Sequence, residues 1–395
     1  MNGRGGSGIE VNTTANLYGE LSKLLLFALA CRLLLFSVAY LHAATTTNYN
    51  ATFLPIRQAP LKQVIEPFRY SDVVWYMDIA ENGYEHRSFT PYKKANWAFY
   101  PLWPLLLRVN NALFGEMLLS GIMLSTLFFM LAILLLYALI ARDFDKEIAR
   151  LSAVLVIVFP ASYFCLRPGP ESLFLFLVIA SISSARSKLW PLAGFLGCLA
   201  ALTRFQGVVL FFPLLFIYYK QYRESGTHHK GVLSLLLIPA AQLGFMGYMF
   251  HVTGNPFANL LMHQKAWANQ PLIPFTAMVN FVLRPHLISY YGWDLTVVSF
   301  VFVLFFLALF ALTFRVYPLP GEYILYAGLS LFFVVSRDNL NSSLRYMLPI
   351  FPLFLALALL IKDRKWLHDS VIFGFSTLQI FYFLSFLQHF GWAAT

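Results

Sequence analysis

Charge is scarce in this sequence. Asp, Glu, Lys and Arg make up 12% of its 395 residues, against about 25% in an average soluble domain. Too little polar surface exists to cover a water-soluble globule of this size. Disorder is excluded as well, because 59% of the residues are hydrophobic. Cysteine is nearly absent. Cys31, Cys165 and Cys198 fall in apolar stretches and show neither a disulfide framework nor metal-ligand spacing, so they read as small hydrophobes packed in helices. A Walker loop, a Gly-x-Gly-x-x-Gly fingerprint and a nucleophile elbow are missing. His251, His263 and His286 lack a compact ligand spacing, and no metal or cofactor is expected. Residues 1–17 lack the basic stretch and cleavage site of a signal peptide.

Long apolar runs are abundant, and the mean hydropathy is +0.66. Runs at about 18–44, 115–141, 151–166, 170–185, 189–203, 207–219, 231–251, 295–314, 321–336, 345–361 and 369–390 predict an all-α fold. It would be a polytopic membrane bundle of about eleven helices, one integral-membrane domain over 1–395. Several runs fall short of the roughly twenty residues of a straight span. The pair 189–203 and 207–219 is hinged at Thr203–Gly207, and a polar hinge at membrane depth is tolerated only inside protein or beside a cavity. Arg32, inside the first run, needs an interior partner.

The formal net charge is +10. Its basic residues cluster at 142–150, 186–188, 220–230, 315–320 and 362–365, short connections that fall on one side if the amino terminus is cytoplasmic. This positive-inside pattern points to the lipid bilayer as partner and away from nucleic acid. The long segments 45–108 and 252–294 then lie outside, with the short connections 166–170, 204–206 and 337–344. A segment as long as 45–108 is a functional loop more readily than a linker, and it contains a helix-like piece, Asp72–Asn82, closed by Gly83.

The unusual polar residues all fall on that outer side. Asp72 would share a helix face with Trp75 and Tyr76. It either caps a short helix or, with a pKa raised by its surroundings, serves as a general base. Glu85-His86, after Gly83-Tyr84, either orients a substrate hydroxyl or sits in a solvated loop. Arg167 and Glu171 read as a surface ion pair, despite the prolines between them. Arg204 either forks onto phosphate oxygens or snorkels to the interface. Arg337 and Arg345 add positive charge at the same depth.

Five segments occur in order: "SDVVWYMDIAENGYE", "AFYPLWPLL", "FPASYF" with "PESLF", "ALTRFQGV" and "RYMLPIFPLF". Together, over about residues 20–360, they resemble the GPI mannosyltransferase II family of the GT-C superfamily of polytopic glycosyltransferases. The resemblance implies an extracytoplasmic active site and a polyprenyl-phosphate sugar as donor, dolichyl-phosphate mannose in eukaryotes. The acceptor would be lipid-linked or a glycan. Asp72 matches the family's acidic catalytic position, with Ser71 where the family has Trp. Tyr84, Glu85, Glu171 and Arg204 match further motif positions, and His86 and Arg345 complete the expected substrate-binding set. The resemblance places the protein in the inner membrane of a bacterium, which the compact length favours, or in the endoplasmic reticulum of a eukaryote. A transporter or flippase of lipid-linked sugars fits broken helices and intramembrane arginine equally well. It should show two related halves, and none is detected.

Overall fold

The computed structural model describes residues 7–46, 60–266, 273–287, 295–315 and 318–391. The loop stretches 47–59, 267–272 and 288–294 lie outside the described residues. Among the described residues every regular element is a helix, and there is no strand.

The chain opens with α1 (Ser7–Thr46). The first long loop holds α2 (Leu61–Ile65), a 3-10 turn at Glu66–Arg69, α3 (Asp72–Asn82), a second 3-10 turn at Asn96–Ala98 and α4 (Leu102–Phe114). Next come α5 (Met117–Ile140), α6 (Lys146–Val158), α7 (Glu171–Arg186), α8 (Trp190–Ala201), α9 (Phe211–Ser225) and α10 (Leu237–Thr253). The second long loop carries α11 (Ala258–Ala266) and α12 (Thr276–Leu283). The chain continues through α13 (Thr296–Leu312), α14 (Gly321–Val335), α15 (Ser343–Met347), α16 (Phe351–Ile361) and α17 (Lys365–Gly391).

Four stretches are helical, long and apolar enough to cross a membrane: Gly19–Thr45, Met117–Ile140, Lys230–Thr253 and Lys365–His389. They coincide with four of the expected spans. The expected span 151–166 is instead bent by 75°, where α6 gives way to a 3-10 stretch at Pro160–Leu166. Pro160 has no N–H to continue the ladder and its ring would clash with the preceding turn. The expected span 345–361 is likewise divided into α15 and α16, with Pro349 between them. The two prolines before the second expected span start α4, a helix lying ahead of α5, where a missing N–H is harmless. α4 buries Trp103 and Leu107 and leaves Leu105, Val109 and Leu113 exposed. Its Arg108 donates to the Ala80 carbonyl at 2.6 Å, which ties it to the end of α3.

In the interior α5 packs along α7, α7 along α8, α8 along α10 and α6 along α16. Arg32 on α1 is buried among them. Its partners are the Phe129 ring, 3.9 Å away, and the Ser162 carbonyl at 3.2 Å.

The connections that sequence parity assigns to one side meet one another. Arg186 pairs with Asp143 and lies 3.5 Å from Glu322, and Lys362 lies 3.9 Å from Asp145. The outer set meets around Glu171, at the other end of α7. That helix has sixteen residues and is roughly 24 Å long at about 1.5 Å per residue.

The hinge after α8 is built on Gly207. Arg204 is extended, with φ −153° and ψ 148°, and Phe205–Leu210 forms a 3-10 turn before α9. The backbone of Gly207 lies so close to α8 that an added Cβ would stand 2.3 Å from the Ala200 carbonyl carbon. Gly207→Val is therefore expected to push the hinge off α8 and cost about 1–3 kcal/mol. A drop in melting temperature of the detergent-solubilised protein measures this, and an unchanged value would refute the close approach.

Candidate active site

A cavity of about 550 Å³ opens between α3, the hinge, α11, α14 and α15. Most of its wall is apolar, including Phe174, Phe205, Phe257, Phe333 and Ile350. Its charged lining comes from Asp72, Arg204, Arg337 and Arg345.

Asp72 is the first residue of α3, and its side chain does not cap the helix. It follows Ser71, whose φ of +63° turns the chain sharply into the helix. That turn is clamped from the other side, where Arg167 Nη2 donates to the Tyr70 carbonyl at 2.5 Å. Asp72 Oδ2 accepts from Arg345 Nη1 at 2.5 Å. Arg345 stands on α15, which is itself launched by a residue of positive φ, Ser342 at +57°. Non-glycine residues in this region store backbone strain, and here two of them aim the two partners of one ion pair.

Glu171 is the centre of the cluster. Its Oε1 accepts from Arg204 Nη1 at 2.7 Å and from Arg345 Nε at 2.6 Å, with Arg345 Nη2 at 2.5 Å. It stands in the first turn of α7, where a helix favours negative charge. Gly169 makes room for it, since a Cβ there would stand 2.4 Å from Glu171 Oε2. The expected pairing of Glu171 with Arg167 is thus replaced. The prolines flanking Gly169 turn Arg167 away, and its guanidinium lies 4.3 Å from the Phe386 ring. Arg204 does not snorkel. It is held inward by Glu171 and lies 5.1 Å from the Tyr346 ring. Arg337 covers the same ring at 4.3 Å.

The expected rise in the Asp72 pKa is corrected in direction. Burial acts to raise it, but Arg345, with Arg167 and Arg204 behind, outweighs burial and holds the carboxyl below its ordinary 3.8. The notion of a raised value considered the aromatic neighbours and lacked the guanidinium, which arrives from 273 residues away. The aromatic face is nonetheless present: Trp75 stacks on Phe99 at 6.1 Å and Tyr76 meets the same ring edge-on at 5.0 Å.

Tyr84, Glu85 and His86 are not brought to the cavity. They follow the far end of the eleven-residue α3, which Asp72 opens, and are not among the cavity's lining residues. Tyr84 is buried and donates to the Phe99 carbonyl at 2.7 Å. Glu85 pairs with Arg87 at 2.8 Å, and His86 is exposed. The loop here is held by backbone contacts of Glu85 with Asn96 and Trp97 and by Asp78, whose Oδ2 accepts from buried Asn96 at 2.8 Å.

His263 is a lining residue that the sequence did not single out for this site. It lies on α11, and burial is the main influence pushing its pKa down, against a raising hydrogen bond to the Ala98 backbone, so the imidazole is neutral at pH 7. Asn259, one turn earlier, donates to the Trp97 carbonyl at 2.8 Å, and Tyr100 donates to Gln242 at 3.1 Å. The second long loop is thereby docked on the first. No group of three His, Cys, Asp or Glu suited to a metal ion occurs among the described residues.

Residues 98–241, about a third of the chain, match a family profile described as dolichyl-phosphate-mannose-protein mannosyltransferase. No curated protein matches. Among solved structures, ArnT from Cupriavidus metallidurans bound to undecaprenyl phosphate is similar over 93% of this chain and 75% of its own, at 13% identity and a TM-score of 0.50. The fold is that of the GT-C membrane glycosyltransferases. The Archaeoglobus fulgidus oligosaccharyltransferase tethered to an acceptor peptide aligns over 92% of this chain, at 13% identity and a TM-score of 0.44. The same organism's AglB with an inhibitory peptide and dolichol phosphate aligns at 14% identity and 0.44. This chain spans about half the length of those archaeal proteins, 55% and 56%.

Two outcomes follow from the cluster. Glu171→Gln leaves two buried guanidiniums around a neutral amide, at an expected cost of about 3–5 kcal/mol, read as a lowered melting temperature. Asp72, with its folded pKa below the unfolded one, stabilises the fold above the ordinary value of 3.8 and loses that contribution as pH falls through the folded value. The melting-temperature difference between the wild type and Asp72→Asn should therefore be largest near neutrality and shrink below about pH 4. A difference independent of pH would contradict the ion pair.

Proposed function

We propose that the protein is a membrane glycosyltransferase that moves a mannose-like sugar from a polyprenyl-phosphate carrier to a hydroxyl of a lipid-linked or glycan acceptor. The reaction takes place on the extracytoplasmic side, of the bacterial inner membrane or, in a eukaryote, of the endoplasmic reticulum. One observation carries the reading: a carboxylate and two guanidiniums converge in a cavity walled mostly by aromatic and aliphatic side chains. The apolar wall suits a prenyl chain and the arginines suit a phosphate. The matched family's description names a dolichyl-phosphate sugar, and the similar ArnT structure holds undecaprenyl phosphate.

The acceptor oxygen forms its bond to the anomeric carbon while the bond from that carbon to the phosphate oxygen breaks. The electron pair leaves with the lipid phosphate, and the acceptor proton passes to Asp72. Arg204 and Arg345 stabilise the charge that develops on phosphate. One base and no protein nucleophile give inversion at the anomeric carbon. Phosphate departs unprotonated, so the second carboxylic acid of glycoside hydrolysis is not needed. Glu171 holds the two arginines at a fixed spacing instead of touching the sugar. Tyr76 and neutral His263 offer hydrogen bonds to substrate hydroxyls.

Purified protein in nanodiscs, given radiolabelled polyprenyl-phosphate mannose and a hydroxyl acceptor, should form labelled product. Asp72→Asn should lower turnover by about 10²–10⁴-fold. Arg204→Lys should raise the donor KM, since a lysine cannot fork onto phosphate. Normal turnover in Asp72→Asn would remove Asp72 from the reaction.

A further inference from the structure

The chemistry above needs Asp72 as a proton acceptor, yet the structure ties that carboxylate down. Its Oδ2 is held by Arg345 Nη1 at 2.5 Å, and protonation has to compete with that ion pair. The same guanidinium gives Nε and Nη2 to Glu171 Oε1, at 2.6 and 2.5 Å. Two carboxylates thus divide one fork unequally. Glu171 takes two of its three nitrogens, keeps 4% of its side chain exposed and is backed by Gly169. Asp72 takes one nitrogen and keeps 29% exposed, in the cavity wall. The Asp72 end of the fork is the end an arriving anion meets.

The other groups around Asp72 offer it no equal replacement. Arg167 is committed to the Tyr70 carbonyl and the Phe386 ring, and Arg204 to Glu171. Tyr76, on the same helix, and His263, on α11, are uncharged at pH 7.

We propose that Arg345 is a positioning latch on Asp72 that the donor's phosphate opens. The phosphodiester anion takes over Arg345 Nη1, Asp72 turns to the acceptor hydroxyl, and the acceptor is activated only when the donor is in place. This rests on the donor reading given above. Opening the latch makes and breaks no covalent bond, because one anion replaces another at the guanidinium. The released carboxylate is then covered by the donor, beside a second anion and without its nearest cation, which makes it more basic, while Arg167 and Arg204 keep part of their opposing pull. Neither water nor a stray hydroxyl meets an active base before the sugar donor arrives.

The test uses dodecyl phosphate as the probe and the full chain in nanodiscs. The Asp72 carboxyl stretch is followed by infrared difference spectroscopy against Asp72→Asn, while ³¹P line broadening reports whether the probe binds. Without probe, the wild-type carboxyl should titrate below 3.8. With saturating probe, it should titrate about 1–3 pH units higher. In Arg345→Gln the value should already be raised without probe and should move less on adding it. Binding of the probe with no change at wild-type Asp72 overturns the latch and leaves the donor reading standing, since the phosphate would then use the two remaining N–H groups of Arg345. Failure of the probe to bind overturns both. The wild-type comparison is sufficient if Arg345→Gln does not fold.

Discussion

One guanidinium, that of Arg345, organises the charged cluster at the cavity. Through two carboxylates it joins α15, the start of α3 and the start of α7, and through Glu171 it reaches the hinge at Arg204. These pieces come from residues 72, 171, 204 and 345. Moving such charges out of water is expensive, and their attraction compensates only when the geometry is tight and the remaining lone pairs are used. Much of the surrounding architecture serves that geometry. Strained serines open α3 and α15, Gly169 makes space for Glu171, Gly207 folds the hinge against α8, and Arg167 clamps the Tyr70 turn.

The apolar part of the cavity is built differently. Its walls are large side chains that need no specific partner, such as Phe174, Phe205 and Phe333. The two long loops meet through single hydrogen bonds to backbone carbonyls, from Asn259 to Trp97 and from the Phe89 N–H to Thr253. In a chain with so few charges, an ion-pair cluster stands at each end of α7.

The helical class and the helix positions were legible in the sequence because long apolar runs leave a chain no other way to satisfy its backbone. The breaks at Pro160 and Pro349 were visible as prolines, but the 75° bend depends on packing that no local pattern encodes. Asp72, Glu171, Arg204 and Arg345 stood out because a charge in a charge-poor chain is conspicuous, and parity put all four on one side. Their partners were not legible: which acid meets which arginine is decided across separations of 33 to 273 residues. The pKa direction of Asp72 failed for the same reason. Tyr84, Glu85 and His86 match or adjoin the same sequence motif as Asp72, but the whole of α3 lies between them and that residue. His263 left no signal, being one imidazole on a nine-residue helix of mixed character.

The reach of α7 from one charged cluster to the other has a geometric corollary. Each residue added to a helix lengthens it by 1.5 Å and also swings everything beyond it by about 100° about the axis. Glu171 faces its two arginines while Arg186 faces Asp143 and Glu322, so the helix works as a ruler and a compass at once. The distance between the two clusters and their relative bearing about the helix axis cannot be tuned independently. A lineage adapting to a thicker or thinner bilayer would have to change this helix by whole turns, or change the loops around it instead.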